Sequence, residues 1–398
     1  MTTLEFNDLS FKEEKGFVKV IFLKHFSFEI KNEELKKIGN FKIGEKFIEF
    51  DASEKRSSKF YELIDRGISD LKNIVTGKKT VYLFRGCGIP LIGNGSFGIV
   101  DRGSNLIEIK PICGCNLDCI YCSVDEKKRS VDFLIDDEYL VEELKKVLSI
   151  KKSKDIEIHI GCNGEPLLYA KLIPLVKSIS EINGVTRISM DTNGTLLTEN
   201  KIDELIDAGM TRFNLSLNAI DDSLAKKIAG GGFSVNHAKK IAKYIISKKA
   251  NLTIAPVWMQ GVNDEEMEKI ILFGKEIGAT LGIQNFLSYQ FGKNPVKEYS
   301  MEEFYAKLSS FEKKYDVHLI LKASDFGIHS DNTLSKPFDK DDIVKSVIVS
   351  YGRLPNEMIA VSKDRCISIY DTNKKIGSQV KIKITKSKHN IFSGLIVG

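Results

Sequence analysis

The chain has 398 residues, enough for one large domain or two to three smaller ones, and 42% of them are hydrophobic, enough for a sizeable core. It contains no run of about 18 apolar residues, which excludes a membrane-spanning helix, and residues 1–6 lack the features of a signal peptide. The net charge of +5 is only mildly positive, but the positive residues are concentrated near the C-terminus. We therefore expect a cytoplasmic protein with no membrane partner.

Residues 1–100 predict an N-terminal α+β domain of unknown role. Residues 17–30 alternate and are rich in β-branched and aromatic side chains, which indicates strands, whereas residues 54–71 indicate a helix. Residues 93–98 match G-x-G-x-x-G by letter, but turn and strand residues follow them instead of the helix that a nucleotide fingerprint needs. We interpret this segment as a glycine-rich loop.

From about residue 105, strand-like runs alternate with amphipathic helices. The strands are predicted at 106–109, 156–160, 187–190, 213–217, 252–257 and 281–286, and the helices at 139–148, 168–179, 201–208, 235–247 and 264–277. This order is typical of parallel β/α units. The α/β core over residues 101–335 is therefore an open partial (β/α)6 barrel or a doubly wound sheet. In either case, ligands bind at the carboxyl ends of the strands.

The C-terminal part has a different pattern. Residues 337–342 form a polar connector, and residues 344–398 contain short alternating strands separated by turn residues. Val380, Ile382 and Ile384 can face a core while Lys381 and Lys383 face solvent. Five such strands predict a small closed OB-like β-barrel.

The most informative motif is the C-x-x-x-C-x-x-C spacing of Cys115, Cys119 and Cys122, which follows the first strand of the core. Three thiolates this close can hold three irons of a [4Fe–4S] cluster and leave the fourth iron open to bind and activate a small molecule. A zinc site with Cys113 as fourth ligand is the alternative. The odd total of seven cysteines argues against a disulfide framework.

This motif and its surroundings, over roughly residues 105–290, resemble the radical S-adenosylmethionine (SAM) enzymes. The resemblance implies a partial (β/α)6 barrel, a [4Fe–4S] cluster on the three cysteines, and SAM chelated by the open iron. It also implies an electron donor such as ferredoxin or flavodoxin. In that family, one electron cleaves SAM to a 5′-deoxyadenosyl radical, which abstracts hydrogen from the substrate.

The same resemblance assigns a SAM-binding turn after the second strand of the core. The segment 161–166 resembles the family's G-G-E motif, with Asn163 in place of the first glycine. Asn163, Gly164 and Glu165 would hold the SAM ammonium group, since backbone carbonyls and a carboxylate suit a cation. The alternative is a plain strand-to-helix turn with Pro166 at the first helical position.

Further SAM contacts are implied on the next strands and on the cysteine loop. Thr192 and Asn193 belong to a T-N-G turn and are candidates for ribose or carboxylate contacts. Ser216 and Asn218 lie two residues apart, on one face of the fourth strand, and could meet the SAM carboxylate. Tyr121 stands where the family often places an aromatic ring against the adenine. Ordinary turns and polar strand ends remain the alternatives.

The remaining cysteines are scattered, and we interpret each as a small buried apolar residue: Cys87, Cys113, Cys162 and Cys366. A methyltransferase role for Cys366 with Cys162 or Cys87 is an alternative. Residues 1–86 contain no cysteine, which argues against the methylthiotransferase subtype.

The C-terminal segment 376–397 resembles a TRAM domain, a small RNA-binding barrel found on RNA-modifying enzymes. Positive side chains accumulate there, as phosphate contacts require: Lys374, Lys375, Lys381, Lys383, Lys386, Lys388 and His389. The resulting hypothesis is a radical SAM enzyme that modifies a base in tRNA or rRNA. The alternatives are a radical SAM enzyme acting on a protein or small metabolite, and a non-catalytic iron–sulfur or zinc RNA-binding protein.

Overall fold

The computed structural model describes residues 1–397. The N-terminal part contains β1 (Thr2–Glu5), β2 (Leu9–Glu14), β3 (Phe17–Phe22), β4 (Phe26–Lys31), α1 (Asn32–Lys36), β5 (Phe41–Ile43), β6 (Phe47–Phe50), α2 (Glu54–Ser57), α3 (Lys59–Ser69), β7 (Lys72–Asn73) and β8 (Lys79–Leu83). The predicted strands within 17–30 and the helix within 54–71 are confirmed. β1, β6 and β5 form one small antiparallel sheet.

The central part contains β9 (Gly98–Asp101), β10 (Leu106–Lys110), β11 (Val131–Ile135), α4 (Asp137–Leu148), β12 (Ile156–Ile160), α5 (Leu172–Ser180), β13 (Val185–Thr192), α6 (Glu199–Asp207), β14 (Arg212–Leu215), α7 (Asp222–Ala229), α8 (Val235–Ser247), β15 (Asn251–Ile254), β16 (Val257–Trp258), α9 (Asp264–Ile277), β17 (Thr280–Leu281), β18 (Gln284–Asn285) and α10 (Met301–Tyr315). The predicted strands 252–257 and 281–286 each break into two short strands, β15 with β16 and β17 with β18, and β16 and β18 pair in a separate two-stranded sheet. The sequence analysis did not predict β11, α7 or α10.

The main sheet of this part has the order β17-β15-β14-β13-β12-β10-β9. All neighbours from β10 to β17 pair in parallel, and β9 pairs antiparallel to β10 at one edge. The order follows the chain without the reversal that defines a doubly wound sheet. The prediction of an open partial barrel is therefore confirmed over the doubly wound alternative.

Alternation along the strands separates an apolar face from a polar face. Ile107 and Ile109 of β10, like Ile158 of β12, are fully buried in the core shared with Leu144 of α4 and Leu175 of α5. The residues between them in sequence are polar and project to the opposite face, which is the inner face of the partial barrel.

The loop of residues 111–130 lies at the junction of two sheets. It leaves β10 in the main sheet and enters β11, which pairs in parallel with β8 and completes the N-terminal sheet β11-β8-β7-β4-β3-β2. The chain therefore passes from the main sheet to the N-terminal sheet through the cysteine motif, and both ends of that loop are anchored in sheets.

Residues 343–396 form a closed barrel with the order β19-β20-β21-β23-β22, as the sequence predicted. Its strands are β19 (Ile343–Tyr351), β20 (Met358–Ser362), β21 (Arg365–Ile369), β22 (Gln379–Lys386) and β23 (Ser393–Ile396). Phe338, from the polar connector, is buried in the barrel core against Phe392, with ring centroids 5.3 Å apart.

The glycine-rich loop of residues 93–98 holds the barrel against the core. The Cys366 amide donates to the Ile92 carbonyl (2.9 Å), and the Phe392 amide donates to the Gly93 carbonyl (2.9 Å). A Cβ at Gly93 would lie 2.3 Å from the Cys366 carbonyl oxygen, so only glycine fits there. β9 follows this loop instead of a helix, which confirms the loop interpretation. No helix within residues 1–397 is both long and apolar enough to cross a membrane.

Candidate active site

The three motif cysteines lie on the loop that follows β10, at the carboxyl end of the main sheet. Cys115, Cys119 and Cys122 are half-buried and free of disulfide bonds. Two backbone hydrogen bonds fix the middle of this loop to the end of α7, from the Asp118 amide to the Ala229 carbonyl (3.1 Å) and from the Ile120 amide to the Ile228 carbonyl (2.9 Å).

Cys113 is separated from the other three cysteines by its orientation. It is fully buried, and its sulfur accepts a hydrogen bond from the Phe133 amide on β11 (3.0 Å). No three Cys, His, Asp or Glu side chains within residues 1–397 are arranged to hold one metal ion. Two sulfurs on one zinc ion lie at most about 4.6 Å apart, whereas each cysteine on a cluster binds a different iron. A cluster therefore does not need the compact arrangement of sulfurs that a single zinc ion needs.

The Asn163–Glu165 turn is in backbone contact with the cysteine loop. The Glu165 amide donates to the Gly114 carbonyl (2.8 Å), and Gly114 and Gly164 form a parallel bridge. A Cβ at Gly164 would lie 2.2 Å from the Gly114 carbonyl oxygen, so this glycine permits the close approach. The turn that the sequence assigns to SAM thus lies directly beside the loop that it assigns to the cluster.

Glu165 is the most constrained polar group of the site. Its buried carboxylate accepts hydrogen bonds from the Thr192 hydroxyl (2.8 Å), the Asn193 amide (2.8 Å) and the Leu167 amide (3.1 Å). Burial raises the pKa of Glu165 to about 7, although these three donors partly offset that effect. A carboxylate has about four acceptor positions, so one on Oε2 remains for a cation.

Asn193 connects the T-N-G turn to the cysteine loop. Its side-chain amide donates to Asn116 Oδ1 (2.9 Å) and lies 3.8 Å from the Cys115 sulfur. Asn116 in turn donates to the Thr195 hydroxyl (2.8 Å). The sequence analysis did not identify Asn116, because its role depends on a partner nearly eighty positions away.

The fourth strand reaches the cysteine loop through Tyr121. The Tyr121 hydroxyl accepts from Asn218 Nδ2 (3.0 Å) and lies near the Cys119 thiol. Asn218 Oδ1 accepts from the Val257 amide (2.8 Å), so both ends of this side-chain amide already have partners. Ser216 is half-buried and its hydroxyl has no hydrogen bond to the described residues, which makes it the freer of the two candidates.

Comparisons with known proteins agree with this geometry. Residues 109–274 match the model of the Radical SAM superfamily. An uncharacterised protein of Methanocaldococcus jannaschii is 38% identical over 362 residues, which is 83% of each chain. The chain belongs to the radical SAM superfamily. It is therefore an enzyme, and the alternative of a non-catalytic iron–sulfur or zinc protein is wrong.

Other similar proteins match this chain over a smaller share of its length. A GTP 3′,8-cyclase of Thermodesulfovibrio yellowstonii is 31% identical over 184 residues, 44% of this chain and 54% of the cyclase. Among solved structures, TYW1 with a lysine-pyruvate adduct bound is 18% identical, with a TM-score of 0.43 over 60% of this chain and 82% of that one. The chain thus spans about half the length of this cyclase.

The cofactors of this radical SAM enzyme are a [4Fe–4S] cluster and SAM, and when bound they supply a 5′-deoxyadenosyl radical. The residues present fit both groups: one loop carries three undisulfided thiols, and the adjacent turn offers carbonyls and an incompletely satisfied carboxylate. Burial raises the pKa of Cys119 to about 12, so its thiol is protonated without iron, and cluster loading must release protons. Radical SAM enzymes also need a reductant, whose identity the sequence leaves open.

The structure adds charged residues around the cysteine loop that the sequence analysis missed. Lys293 donates to the Asp118 carbonyl (2.7 Å) and pairs with the Asp118 carboxylate. Arg353, from the C-terminal barrel, donates to the Asn163 carbonyl (3.2 Å) and lies 3.7 Å from Glu126. These residues come from distant parts of the chain, and no local pattern marks them.

Proposed function

We propose that this radical SAM enzyme modifies a base in structured RNA such as tRNA or rRNA. Cys115, Cys119 and Cys122 bind the cluster. The Asn163–Gly164–Glu165 turn binds the SAM ammonium group, and the remaining SAM contacts come from Tyr121, Thr192, Asn193, Ser216 and Asn218. These residues position the cluster and SAM next to each other, while the substrate approaches from the side of the C-terminal barrel.

The observation that carries the RNA assignment is the position of the basic barrel. The buried side chain of Arg353, a residue of this barrel, donates a hydrogen bond to the SAM-binding turn. The Arg353 carbonyl accepts from the Ser130 amide (2.9 Å) on the cysteine loop. On β22, Lys381, Lys383 and Lys386 are exposed while Ile382 is buried. A lysine-bearing surface attached to the catalytic loop suits a polyanionic substrate, because phosphate contacts are mainly electrostatic.

Mass spectrometry of nucleosides tests this proposal. A strain lacking the gene should lose one modified nucleoside from its tRNA or rRNA. The wild-type gene should restore it, and a Cys119→Ala gene expressed at the same level should not. An unchanged nucleoside profile in the deletion strain would contradict the proposal.

A small-molecule substrate is the second candidate, favoured by a different observation. The inner face of the partial barrel carries charged pairs below the cofactor site, Glu108 with Lys110 (2.8 Å) and His159 with Asp191 (3.1 Å). Such groups suit a compact polar ligand, and the similarity to GTP 3′,8-cyclases over about half of their length points the same way. A changed pool of small metabolites with unchanged RNA would favour it.

A further inference from the structure

A cleft of about 920 Å³ separates the C-terminal barrel from the core. Residues 94–96 of the glycine-rich loop line it, as do Ser123 and Val124, which directly follow Cys122. The barrel supplies the opposite wall, including residues 385–389 and 391–393. The sequence analysis did not predict this cleft, whose walls come from segments up to almost 300 positions apart. Its volume is in the range of sites that enclose a single small ligand or nucleotide.

The charge of the cleft is strongly positive. Lys340, Lys386 and Lys388 line it, are exposed, and form no ion pair with any carboxylate among residues 1–397. The one acidic residue among its lining side chains, Glu357, is buried and accepts a hydrogen bond from the Leu354 amide (2.9 Å). The solvent-facing charges of the cleft are therefore free to bind an anion.

An aromatic pair stands in the same cleft, at the end near the cysteine loop. The rings of Phe291 and Tyr370 lie 5.6 Å apart at an interplanar angle of 31°, and Phe291 is 37% exposed. The Phe291 carbonyl accepts from the Asp125 amide (2.9 Å), three residues beyond Cys122. A flat group placed on this pair would therefore lie beside the cysteine loop.

The two walls are held in a fixed relation. Arg353 donates to the Asn163 carbonyl, and Asn163 Nδ2 donates to the Gly95 carbonyl (3.3 Å). Asn163 of the SAM-binding turn thus connects the barrel to the glycine-rich loop through two hydrogen bonds. Asn94 Nδ2 also donates to the Ser368 hydroxyl (3.0 Å) of the barrel. Because these contacts are buried or partly buried, we expect the cleft to be largely preformed.

We propose that this cleft receives one unpaired nucleotide of the RNA substrate. Its base packs on the Phe291–Tyr370 pair, and Lys340, Lys386 and Lys388 contact the flanking phosphates. This inference rests on the proposed RNA function and locates the substrate within it. An enzyme that reacts at a base must take that base out of the helical stack, and unpaired RNA bases are held on aromatic side chains between basic residues.

RNA binding measured as a function of salt tests the proposal. The probe is a fluorescein-labelled RNA hairpin with an unpaired loop, compared with a blunt duplex of the same length, and the protein is the cluster-loaded full chain. We expect the wild type to bind the hairpin more tightly than the duplex. Phe291→Ala should raise the hairpin Kd about 5- to 150-fold without changing its salt dependence, because it removes stacking and no charge.

The paired lysine variant should behave in the opposite way. Lys386→Ala with Lys388→Ala should make the slope of log K against log salt shallower by about 1.4, as expected for two lost single-strand phosphate contacts. The matched control, Lys145→Ala with Lys313→Ala, removes two exposed helix lysines that line no part of the cleft and should leave both quantities unchanged. Thermal unfolding and 5′-deoxyadenosine formation verify that each variant is folded and loaded.

The outcomes separate this inference from the function on which it rests. No wild-type affinity for either RNA would overturn the proposed function. Retained RNA affinity that is insensitive to the Phe291 and Lys386/Lys388 variants would overturn the cleft alone. The cleft would also be overturned if the entire change in salt slope came from Lys381→Ala with Lys383→Ala, which lie elsewhere on β22. A protein substrate would be indicated if an acidic peptide of equal charge displaced the hairpin and Phe291→Ala did not weaken hairpin binding.

Discussion

The proposed cofactor site and the proposed substrate cleft lie side by side but are built in different ways. The cofactor site consists of short segments at strand ends, held by close backbone contacts such as that between Gly114 and Gly164. The cleft combines the glycine-rich loop, the cysteine loop, residues 289–291 and the C-terminal barrel, and its active groups are exposed side chains. On this proposal, local geometry fixes the chemistry, whereas the attachment of the barrel determines the choice of substrate.

The largest expected effect lies on the cofactor side. Cys119→Ala should abolish cluster binding and 5′-deoxyadenosine formation, because it removes one of three proposed iron ligands. Iron and sulfide content with product analysis under anaerobic conditions measures this. Cys87→Ala is the matched control, since Cys87 is also half-buried but lies outside the motif, and it should retain both. Equal losses in the two variants would break the assignment.

A second variant tests the backbone contact between the two loops. Gly164→Ala should abolish SAM cleavage and destabilise the fold by about 1–3 kcal/mol, because the new methyl would overlap the Gly114 carbonyl. Gly232→Ala, where a Cβ meets nothing within 4 Å, should change stability by less than about 0.5 kcal/mol. Chemical denaturation and product analysis provide the measurements. A fully active Gly164→Ala enzyme would show that the loops need not touch.

A third variant tests the attachment of the barrel. Arg353→Met should cost about 1–3 kcal/mol, because it removes the hydrogen bond to the Asn163 carbonyl and leaves Glu126 paired with Arg129. Arg85→Met breaks an ion pair with Glu142 in which Arg85 is mostly exposed, and should leave the free energy of unfolding nearly unchanged. Free energies of unfolding from denaturant titration compare the two. Similar small losses would mean that other contacts hold the barrel.

The smallest expected effect is a pH dependence. Because burial raises the pKa of Glu165 to about 7 in the SAM-free protein, its carboxyl is protonated below that pH and must ionise to accept the SAM ammonium. The affinity of the cluster-loaded enzyme for SAM should therefore fall about tenfold per pH unit below 7 and level off above it. Glu165→Gln should bind SAM more weakly with a flatter profile. Identical profiles would exclude this role for Glu165.

The sequence was sufficient where structure follows from local pattern. The first four parallel strands, the helices at 235–247 and 264–277 and the closed terminal barrel were predicted, because periodicity and turn residues specify them. The predicted strands 252–257 and 281–286 were only partly correct, since each breaks into two short strands. The adjacency of the Cys115 loop to the Asn163–Glu165 turn also followed, since parallel strands place their carboxyl ends at one edge.

The sequence was insufficient where contacts join distant segments. The pairing of β11 with the N-terminal sheet, the hydrogen bond between Asn116 and Asn193, and the insertion of Arg353 beside the SAM turn all depend on the three-dimensional assembly. The sequence of residues 93–98 correctly predicted a loop. Its contact with the C-terminal barrel could not be predicted, because that contact depends on the close approach of Gly93 to Cys366 in the folded chain.

The most direct measurement of the central claim follows hydrogen from RNA to the cofactor product. RNA from a deletion strain grown in deuterated medium is incubated anaerobically with the cluster-loaded enzyme, SAM and dithionite. The deuterium content of the 5′-deoxyadenosine formed is then measured by mass spectrometry. If an RNA nucleotide in the cleft is the substrate, deuterium should appear in 5′-deoxyadenosine, and Phe291→Ala should reduce it. Abundant 5′-deoxyadenosine without deuterium, from RNA that still binds, would contradict the account.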